Sequence, residues 1–224
     1  MKRTLSIAFL VILILGVAVA VILTVVLTAK GNTKGKAEKV MFFAFYSGDE
    51  SPSSGTLVRA LRRKRDGDGT ACSLELDISN TRDSITAMKN VDQEYSYILY
   101  TDVAQTHGPF KALDALTQLN SITANPSDHG LSQSSVMREF IKQANGNPED
   151  QLVFYMPCSY VYSDDNDQAQ FVQLMKDANM GDKTLIVSSK FNSTTISNWY
   201  GVTNVAGAGS SVVNATVTFG EETV

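Results

Sequence analysis

An uncharged apolar segment near the N-terminus, Leu5 to Thr28, constrains this chain more than any other feature of its sequence. About 24 helical residues at ~1.5 Å each span roughly 36 Å, which is enough to cross a hydrocarbon core of about 30 Å. A cleavable signal peptide is the alternative, because Ala18-Val19-Ala20 resembles a cleavage site. The apolar region of a signal peptide usually covers only about 7–15 residues, however, and here it continues to Leu27. The sequence therefore predicts a single-pass membrane protein with an uncleaved signal-anchor, a transmembrane helix at residues 5–29.

The orientation of this anchor depends on the residues around it. Two basic residues precede the segment and four lysines follow it, so the positive-inside rule does not decide between the orientations. Two N-glycosylation sequons, at Asn192 and Asn214, favour a C-terminal domain outside the cell or in the secretory lumen. The N-terminal tail is also too short to hold a domain. We expect a cytoplasmic tail at 1–4, a polar stem at 30–38, and a glycosylated extracellular or lumenal domain at 39–224.

The predicted domain alternates apolar runs with amphipathic stretches, which is typical of an α/β fold. The run from Val40 to Tyr46 is almost continuously apolar, as in a strand that is covered on both faces. The pattern predicts strands at 40–46, 71–78, 95–101, 151–156, 184–188 and 211–219, and helices at 55–65, 81–91, 108–122, 133–144, 167–179 and 196–200. Gly181 fits a C-terminal cap of the helix at 167–179. This alternation indicates a three-layer, doubly wound, mainly parallel sheet with helices on both faces.

The loop after the first strand has the clearest chemical pattern, Asp49-x-Ser51-x-Ser53. One carboxylate and two hydroxyls at alternate positions can face a single hard cation such as Mg²⁺, with water completing the coordination. In open α/β sheets such loops lie at the carboxyl ends of the strands, where ligands bind. The alternative is that these side chains cap a helix that begins near Gly55. The loop lacks the glycine spacing of a phosphate-binding loop, which argues against a nucleotide-binding protein.

From Val40 to Gly209, this loop and the order and length of the elements resemble the von Willebrand factor type A domain, which also occurs in integrins. The resemblance implies a metal-ion-dependent adhesion site for Mg²⁺, or for Mn²⁺ or Ca²⁺. In that family, a threonine before the middle helix and an aspartate after the fourth strand complete the site. The site residues implied here are Asp49, Ser51 and Ser53, with Ser127 or Asp128 in the second loop and Asp164 or Asp165 in the third.

Four features depart from the family pattern. The loop at 125–130 contains no threonine, so Ser127 or Asp128 has to take its place. Asp49 lies about two residues further past the strand than the family places it, and Tyr46 stands near the usual aspartate position. Met156-Pro157-Cys158 replaces the Thr-Asp-Gly that follows the fourth strand in the family. The C-terminal segment reads as a strand, whereas the family ends in a helix.

Other motifs have simpler explanations. Cys72 and Cys158 are compatible with one disulfide in an oxidising compartment, and equally with two buried thiols. The basic run 62–65 resembles a cleavage site of secretory-pathway proteases, but a solvated helix end explains it better. Asp66-Gly67-Asp68-Gly69 fits a turn better than the Asp-x-Asp motif of a glycosyltransferase.

These features predict a non-catalytic function: binding of a protein or extracellular-matrix ligand at the cell surface, through a metal ion or through the same loops without one. The alternative is a small membrane-anchored lumenal enzyme, either glycosyltransferase-like or a hydrolase. The net charge of -4, together with the anchor, disfavours nucleic-acid binding.

Overall fold

The computed structural model describes residues 39–48, 73–88, 92–125, 130–157 and 165–221, except for the side chain of Asp165. The predicted anchor at 5–29, the stem at 30–38 and the helix at 55–65 lie outside the described residues. None of the helices formed by the described residues is long and apolar enough to cross a membrane.

The described residues form one six-stranded sheet with the order β3-β2-β1-β4-β5-β6. The strands are β1 (Val40–Tyr46), β2 (Glu94–Tyr100), β3 (Ala104–Phe110), β4 (Gln151–Tyr155), β5 (Thr184–Val187) and β6 (Val205–Ala206). All neighbours pair in parallel except β3, which runs antiparallel to β2 at the edge of the sheet. The prediction of a mainly parallel sheet is confirmed.

Helices cover both faces of the sheet and so produce three layers. The helices are α1 (Leu74–Ala87), α2 (Ala112–Leu119), α3 (Gln133–Ala144), α4 (Asp165–Asp177), α5 (Ser193–Tyr200) and α6 (Val212–Glu221), with a 3₁₀ turn at Gly181–Lys183. Alternate residues of β1 enter two separate cores. Met41, Phe43 and Phe45 pack with residues of α1, α2 and α6. Phe42, Ala44 and Tyr46 pack with residues of α3, α4 and α5, so β1 is buried on both sides as its sequence predicts.

The predicted strand at 71–78 was wrong, because residues 74–87 form the single helix α1. Ser73 begins this helix, and its hydroxyl accepts a hydrogen bond from the N–H of Leu76. The buried residues Leu74, Ile78, Thr81 and Ile85 follow at spacings of three and four, which is a helical period. The apolar start of this face was misread as a separate strand.

The predicted helix at 108–122 was wrong at its beginning. Residues 104–110 form the edge strand β3, and the helix α2 starts only at Ala112. Buried Ala115 and Leu119 preserve the helical spacing that the sequence shows. The strand before them has no apolar pattern, because it lies at the edge of the sheet that the described strands form and most of its side chains are exposed.

The predicted C-terminal strand at 211–219 was also wrong, since Val212–Glu221 is the helix α6. Valine and threonine favour strands intrinsically, but packing overrides this preference here. Thr216 and Phe219 are buried on the inner side of the helix. Phe219 packs in the same core as the buried residues of α1. The chain therefore has the C-terminal helix that the resemblance implies, and one of the four departures disappears.

The helix at 55–65 is not tested, and the helix predicted at 81–91 begins seven residues earlier, at Leu74. The remaining predicted elements are confirmed within a few residues. The predicted cap at the end of α4 is an exception. The residue with a positive φ there is Asn179, at 55°, and Gly181 instead begins the 3₁₀ turn. Asparagine tolerates this conformation better than most residues. The predicted glycine cap was therefore wrong by two positions.

Candidate functional site

The switch point of the sheet lies between β1 and β4. From β1 the chain continues to β2 on one side, and it later returns to β4 on the other side. Because β1, β2 and β4 are parallel, their carboxyl ends meet at the same edge of the sheet. In doubly wound sheets this position forms the crevice in which ligands bind. We call this edge, with the loops that leave it, the carboxyl rim.

All of the side chains that the sequence predicts for a metal site lie outside the described residues. These are Asp49, Ser51, Ser53, Ser127, Asp128 and Asp164, together with the side chain of Asp165. Residues on both sides of their loops are described, however. The positions of these flanking residues show where each loop leaves the fold and where it returns.

The first two loops meet at the end of β1. The N–H of Ser47 donates to the carbonyl oxygen of Tyr100 at 3.0 Å, which extends the pairing of β1 and β2 by one residue. The N–H of Asn125 donates to the carbonyl oxygen of Ser47 at 2.7 Å. Asn125 immediately precedes the loop with Ser127 and Asp128, and Ser47 lies two residues before Asp49. The loops at 49 and at 126–129 therefore start from backbones in direct contact.

The second and third loops meet at Asp167, in the first turn of α4. The Asp167 carboxylate accepts hydrogen bonds from the N–H groups of Gln133 at 2.6 Å and Ser134 at 3.1 Å. It also accepts one from the hydroxyl of Ser132 at 3.3 Å. These donors form the N-terminus of α3, where a negative charge is favourable. Asp167 thus belongs to α4 but caps the neighbouring helix α3.

The turn between β2 and β3 adds a further acidic residue to the carboxyl rim. The N–H of Ser132 donates to the carbonyl oxygen of Thr101 at 2.8 Å, which fixes this turn against the start of α3. Asp102 lies directly over Gly130, so that a Cβ atom at position 130 would collide with the Asp102 carboxylate. Asp102 is exposed and was missed by the sequence analysis. No local pattern predicts that residues 102 and 130 meet.

Aromatic side chains form the floor beneath these loops. The Tyr100 hydroxyl donates to the carbonyl oxygen of Tyr155 at 3.1 Å and so ties β2 to β4 beneath the switch point. The Tyr46 ring packs edge-on against Tyr100, with 5.6 Å between the ring centroids. The Tyr200 hydroxyl donates a hydrogen bond to Oε1 of the buried Gln133 side chain. Tyr46, which stands near the usual family aspartate position, is therefore a core residue and supports the carboxyl rim from below.

The two sequons have different surroundings. The Asn192 side chain is exposed. Its Oδ1 accepts a hydrogen bond from the N–H of Thr195 at 2.9 Å and so caps α5. The amide nitrogen, to which a glycan would attach, takes no part in this hydrogen bond. Asn214 is exposed on α6, but its sequon residue Thr216 is buried. Both asparagines are thus accessible in the folded chain.

Three other predicted features are not tested by this structure. Cys72, Cys158 and residues 62–69 lie outside the described residues.

Within the described ranges, no three His, Cys, Asp or Glu side chains form a group that could hold a metal ion. The described part of the carboxyl rim thus contributes the scaffold, and the predicted oxygen ligands belong to the loops between its elements.

Comparison with known proteins supports the fold alone. No protein-family model matches the chain, and no curated protein matches it. A von Willebrand factor type A protein from Catenulispora acidiphila is similar in structure, with a TM-score of 0.50 and 9% sequence identity, over 82% of this chain and 43% of that one. The resemblance in fold that the sequence indicates is confirmed at this level.

Two further solved structures are similar to smaller degrees. Proximal thread matrix protein 1 from the mussel byssus has a TM-score of 0.47 and 9% identity, over 80% of this chain and 44% of that one. An aerotolerance-related membrane protein from Bacteroides fragilis has a TM-score of 0.41 and 13% identity, over 67% of this chain and 66% of that one. This chain spans less than half the length of the first two proteins.

Proposed function

We propose that this chain is a membrane-anchored domain that binds a protein or matrix ligand at its carboxyl rim. The observation that carries the proposal is the pair of contacts between the loop ends: Asn125 with Ser47, and Asp167 with the start of α3. These contacts support three loops that leave the fold close together at the switch point, where doubly wound sheets form their ligand crevice. Loops on a rigid sheet are well suited to binding, because they vary in sequence without disturbing the core.

A divalent cation in this crevice would complete the binding surface. Asp49, Ser51 and Ser53 supply carboxylate and hydroxyl oxygens, the ligands that Mg²⁺ prefers, and Mn²⁺ or Ca²⁺ accepts the same donors. Ser127 or Asp128, and Asp164 or Asp165, belong to the two loops whose ends meet this one. A coordination position left open by these side chains would accept a carboxylate of the ligand. Without metal, the same loop surface would bind its ligand directly.

The location we propose follows from the anchor at residues 5–29 and from the sequons. A tail at 1–4 would face the cytoplasm, a stem at 30–38 would follow the span, and the domain at 39–224 would lie outside the cell or in the lumen. The exposure of Asn192 and Asn214 supports this location, since an oligosaccharide needs an accessible asparagine. In an oxidising compartment Cys72 and Cys158 would be free to form a disulfide.

Thermal unfolding of the purified full chain, in detergent, tests the metal site. We expect Mg²⁺ or Mn²⁺ to raise the melting temperature relative to chelator, because a ligand that binds only the folded state stabilises it. Asp49→Ala should abolish this rise. Asp114→Ala, which removes an exposed carboxylate of α2, is the matched control and should retain it. A rise that survives Asp49→Ala would place the cation elsewhere, and turnover of a sugar nucleotide would favour the enzyme instead.

Photo-crosslinking on living cells tests the binding surface whether or not metal is involved. A photoreactive amino acid at Ala124, which is exposed beside the loop end at Asn125, should capture a protein ligand. The same amino acid at Asp182, exposed just before the amino end of β5, is the control. Equal capture from both positions would refute a ligand site at the carboxyl rim.

A further inference from the structure

The edge strand β3 has an unusual lack of charge. Its residues, Ala104–Phe110, include no aspartate, glutamate, lysine or arginine. Edge strands normally carry charges, prolines or bulges that prevent pairing with another chain. Pro109 and a register irregularity opposite Tyr95 to Tyr97 protect one end of β3. The other end, residues 104–107, has neither protection nor charge.

Within the described part of the chain, β2 is the strand that pairs with β3, so the outer backbone groups of this end are not used in the sheet. The N–H of Thr101 donates to the carbonyl oxygen of Val103, next to the pair Tyr100 and Ala104. Bonded and non-bonded pairs alternate along antiparallel strands. Gln105 and His107 therefore use their backbone groups toward β2, while Ala104 and Thr106 direct theirs away from the sheet. Another strand could pair there.

Exposed apolar side chains flank the same strand. Among the described residues, Val103 and Leu113 are the large hydrophobic side chains that stand out as exposed, at 66% and 77%. Val103 directly precedes β3 and Leu113 follows it in α2. A cavity of about 230 Å³ also opens on this side. Its lining includes Tyr97, Leu99, His107, Phe110 and Ile122. Apolar surface of this kind marks interaction sites when it is concentrated in one place.

We propose that β3 joins two copies of this chain, which pair antiparallel about a two-fold axis at Gln105. In this register Ala104 lies opposite Thr106 of the second copy, so both outward-directed residues form bonded pairs. The contact then contains about four backbone hydrogen bonds. Because β3 carries no charged residue, the paired strands themselves bring no like charges opposite each other.

The same register fits the neighbouring side chains. Val103 of one copy lies opposite His107 of the other, next to the cavity that His107 lines. Asp102 lies opposite Gly108, which has no side chain to obstruct it. An uncharged strand with these positions is complementary to itself, and this favours a second copy over an unrelated peptide as the partner. Strand pairing alone buries less than the roughly 1,000 Å² of a stable interface, so the dimer is weak.

Cysteine crosslinking tests the axis directly. At a non-bonded antiparallel pair the Cα atoms are about 4.5 Å apart, within the range that a disulfide spans. Full-length Gln105→Cys in detergent, treated with a mild oxidant, should give at least fivefold more disulfide dimer than Asp114→Cys, an exposed control on α2. The unsubstituted chain sets the background from Cys72 and Cys158. Equal dimer yields from the two variants would overturn the proposal.

Sedimentation of the unoxidised full chain provides the second test. Gln105 is exposed, so its substitution leaves the fold intact. Gln105→Lys places two lysines across the axis and should weaken self-association at least tenfold, whereas Gln105→Ser should not. A native chain that stays monomeric at high micromolar concentration overturns the proposal, as does association that Gln105→Lys leaves unchanged. Binding of an extended synthetic peptide to β3 of a monomeric chain would also overturn it.

Discussion

The contact of Asp167 with the start of α3 provides the sharpest test of how the carboxyl rim is held together. Asp167→Ala removes the acceptor for the N–H groups of Gln133 and Ser134 and for the Ser132 hydroxyl. The two N–H groups belong to the first turn of α3, where no carbonyl within the helix can accept their hydrogen bonds. The substitution therefore leaves two donors without this partner and removes a negative charge from the end of the helix dipole.

The expected cost follows from these bonds. Loss of an N-terminal cap usually costs about 0.5–2 kcal/mol, and a hydrogen bond to a charged group contributes about 1.5–3 kcal/mol. Asp167 is half-buried, so water replaces part of what is lost. Ser132 remains as a second cap, because its hydroxyl also accepts from the N–H of Ser135 at 3.3 Å. We expect Asp167→Ala to lower the free energy of unfolding by about 2 kcal/mol, and Asp167→Asn by about half as much.

Urea unfolding, followed by tryptophan fluorescence, measures this change. Asp177→Ala is the matched control, because Asp177 is exposed at the carboxyl end of the same helix. The helix dipole does not stabilise a negative charge at that end. Its effect should stay within about 0.5 kcal/mol. If Asp167→Ala costs no more than this control, Asp167 does not hold the loops together and the reasoning fails.

Three further predictions concern the core, the pH dependence and the sequons. Phe154 is fully buried, with its ring centroid 5.0 Å from that of Phe171. Phe154→Ala should therefore lower the free energy of unfolding by about 3–5 kcal/mol in the same assay, and a cost below ~1 kcal/mol would contradict this packing. Burial raises the pKa of Asp150, which is 3% exposed, to about 6, so the folded chain binds this proton more tightly than the unfolded chain. The contribution of Asp150 to the free energy of unfolding is therefore full below pH ~4, and it is lost as the pH rises through 6. Asp150→Asn should remove this part of the pH dependence, which amounts to roughly 3 kcal/mol in the free energy of unfolding. Urea unfolding measured between pH 4 and 7 tests this. In secretory cells, Asn192→Gln and Asn214→Gln should each remove one glycan, seen as increased gel mobility, and a native chain that glycosidase does not shift would contradict a lumenal domain.

Much of the fold could be predicted because its central elements have strong local patterns. Val40–Tyr46 is apolar at every position, and Gln133–Ala144 has a regular apolar face, so β1 and α3 were predicted with their correct bounds. The edge strand β3 has neither pattern, since most of its side chains face solvent. For α6, the intrinsic preference of Val212 and Val213 indicated a strand, and only packing against α1 and the sheet makes the segment helical.

The candidate site could be predicted less completely than the fold. The rule that ligands bind at the carboxyl ends of strands located the loops, and the Asp-x-Ser-x-Ser pattern gave their chemistry. The contacts that support the loops could not be predicted, because they join distant positions. Asp167 meets Gln133 from 34 residues away, and Asp102 meets Gly130 although β3 and α2 lie between them in the chain. Such contacts depend on the completed topology, which no local pattern of residues records.

A crystal structure of the chain grown with Mn²⁺ would test the central claim most directly, because this ion has a strong anomalous signal. We predict one anomalous peak at the switch point between β1 and β4, within coordination distance of oxygens from Asp49, Ser51 and Ser53 and from at least one of the segments 126–129 and 158–165. An ion bound elsewhere, or loops whose side-chain oxygens face away from a common centre, would contradict the account.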